Sequence, residues 1–109
     1  MKIQDVPFCT IDWSTIAPIK HPGINGEAYW QTFEMGNIRV RMVEYTPGYL
    51  ADHWCSRGHV LLVLEGELVT ELHNGRKFIL TPGTSYQVAD EVNPHRSYTE
   101  KGAKLFIVD

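Results

Sequence analysis

Along the chain, apolar and polar residues alternate over short stretches, and Gly, Pro and Asn interrupt them at roughly 8–12-residue intervals. This pattern predicts strands over 27–34, 38–46, 60–64, 68–72, 78–80, 86–88, 96–99 and 105–108. Gly36-Asn37, Pro47-Gly48, Asn74-Gly75 and Pro82-Gly83 mark turns between them. Asn74-Gly75 is the strongest hairpin signal, because both residues tolerate the positive φ of a two-residue turn. No stretch of ten or more residues keeps a 3.6-residue apolar period, which argues against a helical bundle and a doubly wound sheet. The expected class is an all-β sandwich or barrel. The run Val60-Leu61-Leu62-Val63-Leu64 is apolar at every position, so it needs cover on both faces, from the interior and from a further sheet or subunit.

The first 26 residues break this pattern. Pro7, Pro18, Pro22, Gly23 and Gly26 make them an irregular arm with at most one helical turn near 13–16. Trp13, Ile16 and Ile19 are the side chains expected to pin it, either to the barrel or to a partner subunit. The expected division is an arm, 1–26, and a single barrel, 27–109.

The 109 residues suffice for one domain, which at this size buries roughly two-thirds of its unfolded surface. Ten basic against thirteen acidic residues give a net charge of −3, which argues against binding nucleic acid through phosphate contacts. The longest apolar run is far short of the about 20 residues that span a membrane. Met1 to Asp5 leads into no apolar secretory segment, and Cys9 and Cys55 read as free thiols in a reducing compartment, so a cytoplasmic location is expected.

One stretch concentrates chemistry: Asp52-His53-Trp54-Cys55-Ser56-Arg57-Gly58-His59, with His95 following Asn93-Pro94 some 36 residues later. Positions 53, 55 and 59 differ by even numbers, so an extended chain would present them on one face. Three imidazoles and a thiolate suit a divalent transition metal: zinc, iron, nickel or copper rather than manganese, which prefers carboxylates. Each histidine alone would read as a ring satisfied by backbone groups, and Cys55 alone as a small buried hydrophobe. His53, Cys55, His59 and His95 together form the candidate ligand set. Asp52 and Trp54 should face away from it, and His21 and His73, next to turn residues, should be solvated. Arg39 and Arg41 share one strand face, which by default faces water; turned inward, it would favour an anionic substrate. Glu44 is the only nearby candidate for a general base. Tyr49, Tyr86 and Tyr98 read as wall or core residues.

From Ile38 to Val108 the chain resembles a small single-domain cupin. Gly48, His53, Cys55, His59 and Gly66 follow the spacing of the first cupin motif, with one residue fewer after the first Gly. Cys55 stands at that motif's second His position and His59 at its Glu position. His95 stands at the ligand position of the second motif, whose Pro and Gly positions hold Asp90 and Val92; Leu80-Thr81-Pro82-Gly83-Thr84 is similar to the turn that usually precedes it. The Asp52-His53-Trp54-Cys55 run looks closer still to the small cupins with an Asp-His-Cys-Trp motif. The resemblance implies a double-stranded β-helix, or jelly-roll, barrel with one metal in its mouth, and a homodimer as in many cupins. It also implies a small polar substrate, for instance in dioxygenase-like chemistry. The alternatives are a non-catalytic small-molecule binding or sensing module, and a closed structural metal site.

Overall fold

The computed structural model describes residues 2–109, and among them it holds nine strands and one short 3-10 turn, Trp13–Thr15. The strands are β1 (Ile19–Pro22), β2 (Glu27–Met35), β3 (Ile38–Tyr45), β4 (His59–Gly66), β5 (Leu68–Leu72), β6 (Lys77–Leu80), β7 (Ser85–Val88), β8 (His95–Tyr98) and β9 (Ala103–Val108). All the strand pairs are antiparallel. They form a six-stranded sheet in the order β1-β2-β3-β9-β4-β7 and a three-stranded sheet in the order β6-β5-β8. This is the all-β class expected from the alternation.

The core lies between the two sheets. Val43, Leu61, Val63, Ala103, Leu105 and Ile107 come from the larger sheet, and Leu68 and Leu80 from the smaller. β4 supplies Leu61 and Val63 to it and β9 supplies Ala103, Leu105 and Ile107, every second residue, as the pleat requires. Asn74-Gly75 joins β5 to β6, which pair in register from Leu68 with Leu80 to Glu71 with Lys77. Gly66 ends β4 at φ +80°, where an added Cβ would collide with the carbonyl of Gly102, the residue before β9, so a side chain is excluded there.

The structure adds detail to the expected arm. Ile19–Pro22 forms an edge strand on β2, pairing Ile19 with Trp30 through Pro22 with Glu27. Its Pro sits at the strand's end, where a missing N–H is tolerated. The arm is held by its own barrel: Gln31 Nε2 donates to the carbonyls of Trp13 and Ile16 at 2.7 and 2.8 Å, and Asn37 bonds the backbones of Lys2 and Gln4. Trp13 and Ile16 are half-buried, but Ile19 is 63% exposed and does not pin the arm. The 60–64 run is covered on one face only within this chain. Leu61 and Val63 are buried, whereas Val60 and Leu64 remain 39% and 38% exposed on the outer side. No helix among the described residues is long and apolar enough to cross a membrane.

Candidate metal centre

Two backbone links build the site. Cys55 and His95 form an isolated antiparallel bridge, the N–H of each donating to the carbonyl of the other at 2.7 and 2.9 Å. The Glu91 N–H donates to the Ser56 carbonyl at 2.8 Å, and the Gly58 N–H to Asp90 Oδ1. The loop before β4 is thereby sewn to the loop before β8. His59 opens β4 on the inward face shared by Leu61 and Val63, and His95 opens β8 on the face shared by Ser97.

As a result, Cys55 Sγ and one ring nitrogen each of His59 and His95 lie within 4.8 Å of one another. His95 is 4% exposed and the His59 side chain 6%. Their Nε2 atoms face each other at 3.1 Å. The tautomers follow from their neighbours. His95 Nδ1 is 2.8 Å from the Asn93 carbonyl, which can only accept, so Nδ1 carries the hydrogen and Nε2 the lone pair. His59 Nε2 is 2.9 Å from the Tyr86 hydroxyl, which donates to it. His59 Nδ1 is buried without a hydrogen-bond partner, and the nearest carboxylate oxygen, Asp109 Oδ2, is 3.6 Å away.

The two Nε2 atoms face each other across 3.1 Å, so one proton or one metal ion held between them satisfies both rings. Two nitrogens on one zinc, at bonds of about 2.0–2.1 Å, sit about 2.9–3.4 Å apart for angles between 90° and tetrahedral. The residues present therefore fit a metal ion, with the Cys55 thiolate as a third donor.

The electrostatics agree. The contact with His95 draws the Cys55 thiol below its ordinary value, against the effect of its partial burial. Burial alone would push the His95 ring down, but the Cys55 sulfur and the Asn93 carbonyl outweigh it and raise it. Burial pushes the Tyr86 phenol up, so it stays a donor. Burial would also raise Asp109, yet His59, Arg39 and Arg41 hold it well below the usual carboxylate range.

His53 stands outside the group. Its side chain is 72% exposed and its Nδ1 lies 2.6 Å from Asp52 Oδ1. The even-spacing argument assumes an extended chain, but 52–53 is a bend, and the chain bridges β8 only on either side of it, at Leu50 and Cys55. The default orientation of Arg39 and Arg41 is corrected: both turn inward. Arg41 is 6% exposed and stacks 4.3 Å over Trp30, and Arg39 grips Asp109 through two bonds of 2.9 and 3.0 Å. Glu44 then falls on the opposite, exposed face, away from the donors. His21 is not free in solvent; its ring stacks on Trp30 at 3.9 Å. His73 is exposed as expected and touches Trp54, over which Arg96 lies at 4.7 Å. Sequence reasoning missed Asp109, and gave Tyr86 no part at the donor group. The signal for Tyr86 was its place on β7 opposite Leu61, an inward residue of β4.

Comparison with known proteins gives a likeness of fold. No family model matches the sequence, and no curated protein does. Among solved structures, an RmlC-like cupin from Shewanella frigidimarina superposes with a TM-score of 0.67 at 20% identity, over 87% of this chain and 83% of that one. Ectoine synthase from P. lautus gives 0.74 at 15% identity, over 93% and 76%. HppE in its Fe(II) form, bound to an alternative substrate, gives 0.75 at 18% identity, over 99% and 62%. Other matches are cupins as well, one of them a sugar phosphate isomerase from Silicibacter pomeroyi. The antiparallel two-sheet architecture and these neighbours together establish that the chain has a cupin β-fold.

Proposed function

We propose that the chain is a small metal-binding cupin whose site is held by Cys55, His59 and His95 and left open for a small molecule. The observation that carries this reading is the face-to-face approach of the His59 and His95 Nε2 atoms at 3.1 Å beside the Cys55 sulfur. One thiolate and two imidazoles suit zinc, iron, nickel or copper. With His53 turned away, the closed set of four protein donors is not assembled, and three donors with a free position are the pattern of sites that bind a reacting molecule. The Asp52-His53-Trp54-Cys55 run places the chain, on this reading, with the small cupins that carry an Asp-His-Cys-Trp motif.

A bound metal would supply Lewis acidity to whatever occupies the free position. The chain's own residues do the rest. Asn93 fixes the His95 tautomer from its carbonyl, and Asp109 faces the Nδ1 edge of His59. The Tyr86 hydroxyl, 2.9 Å from His59 Nε2, is a donor poised beside a ligand atom.

A second reading, a metal-organised binding module without turnover, is favoured by one observation. The nearest interior carboxylate, Asp109, is saturated by Arg39 and Arg41 and held far down, so it does not serve as a base at neutral pH. A homodimer remains part of the proposal, supported by the uncovered apolar side chains of Val60 and Leu64. Sedimentation at micromolar concentration tests it, and a monomer only would contradict it.

Calorimetric titration of metal-free protein tests the ligand set. One equivalent of zinc should bind to wild type and to His53→Ala, with affinities within about threefold. His59→Ala and His95→Ala should each lose about 100-fold or more. Equal affinities in all four proteins would overturn the reading.

A further inference from the structure

β6 ends the smaller sheet and β7 the larger, and the two are not paired with each other, which leaves a gap between them. A cavity of about 290 Å³ fills this gap, with Leu72, Phe78, Leu80, Tyr86 and Val88 on its walls and His95 on its lining. None of the lining residues is Lys, Arg, Asp or Glu. Phe78 pairs with Thr70, which is 3% exposed and faces the interior, so Phe78 faces inward too. It is nonetheless 43% exposed, because the cavity lies over it. Leu80, two residues on and on the same face, is 3% exposed. The Phe78 ring carries the Arg76 guanidinium at 5.1 Å and also lines the cavity beside His95.

The interior charges are not available to that occupant. Arg39 and Arg41 are taken by Asp109, and Arg41 lies against Trp30 on the β2–β3 side of the larger sheet. A cation placed in the cavity would lose its hydration without gaining a partner, whereas an anion could pair with the ion held at the donor group.

Resting on the metal-site reading, we propose that the molecule admitted to this site is small and carries no positive charge, with an apolar body seated against Phe78, Leu72 and Leu80 between β6 and β7. Its polar atom points past His95 to the donor group. This differs from the small polar substrate that the sequence suggests. Tyr86 and His95 mark the end nearest the donor group; Thr70, Thr84, Ser85, Gln87 and Asn93 add uncharged polar side chains to the lining, and the apolar side chains select by shape.

The test uses zinc-loaded protein and ligand-observed magnetic resonance with three probes: benzyl alcohol, benzylamine as its cation, and glycerol. Benzyl alcohol should bind at least about tenfold more tightly than each of the others. Phe78→Asp, at a half-exposed position, should remove that preference and leave the zinc content unchanged. Ile24→Asp, exposed and away from the cavity, should leave both unchanged. Benzylamine or glycerol binding as well as benzyl alcohol, or Phe78→Asp binding as wild type does, would overturn the proposal. Zinc content measured on the same samples separates the two readings. If zinc fails to bind, the metal-site reading falls, and the same probe ratios on metal-free protein decide the cavity proposal.

Discussion

The Asp109 carboxylate lies 3.6 Å from His59 Nδ1 and is itself pinned by arginine: Arg39 holds both of its oxygens and Arg41 donates to Oδ2 at 3.1 Å. Its side chain is 1% exposed. A buried carboxylate of this kind does two jobs. It neutralises guanidinium charge that the fold has turned inward, and it presents a negative edge to the Nδ1–H of His59, which leaves Nε2 free as a donor to metal.

Replacing it by an isosteric amide separates these jobs from packing. Asp109→Asn should cost about 3 kcal/mol, because Arg41 is left charged and unpaired in the interior. The pH dependence has a definite sign. The folded-state value is depressed below the ordinary 3.8, so the stabilisation is present above about pH 4 and is lost as pH falls toward the folded value. Urea denaturation should therefore show a large difference between wild type and Asp109→Asn at pH 7, shrinking as both approach pH 2. A constant difference across that range would contradict the account.

Cys55 and His95 govern how pH acts on the metal. Burial acts to lower the His95 ring, but its contacts with Cys55 and Asn93 raise it overall, and the contact with His95 lowers the Cys55 thiol. Metal must displace the His95 proton. Because His95 is raised above 6.5, zinc affinity should still climb between pH 6 and 8, by up to about tenfold per pH unit at the low end. Competition titrations at three pH values check this, and a flat profile would count against His95 as a ligand.

Sulfur ligation has its own signature. Cobalt(II) in the wild-type site should show the near-ultraviolet charge-transfer band of a thiolate bond. Cys55→Ser should lose the band and bind about 10–100-fold more weakly, yet still take up one equivalent through the two imidazoles. Persistence of the band in Cys55→Ser would place the sulfur elsewhere.

The fold was largely legible because alternation and turn residues are local signals. Asn74-Gly75 announces the β5–β6 hairpin, and Leu68, Thr70 and Leu72 carry their burial pattern in their spacing. β1 was not legible, since Ile19-Lys20-His21-Pro22 has neither alternation nor a turn at its start and owes its form to β2. In the site, Cys55, His59 and His95 were legible by residue type and spacing. His53 was included by an extended-chain rule that fails where the backbone bends at 52–53. The inward turn of Arg41 could not be read locally, because the partner that makes its burial tolerable, Asp109, lies 68 residues away. Long-range pairing of charges leaves no periodic trace, so an alternating strand such as β3 fixes two faces without saying which one is inside.

The central claim is that Cys55, His59 and His95 hold one transition-metal ion. Elemental analysis of protein purified without a polyhistidine tag tests it most directly. The account predicts close to one equivalent of zinc, iron, nickel or copper per chain, falling below about a tenth in the His59→Ala/His95→Ala double variant. Wild-type protein carrying less than about a tenth of an equivalent, and taking up none on incubation with each of these metals, would contradict it.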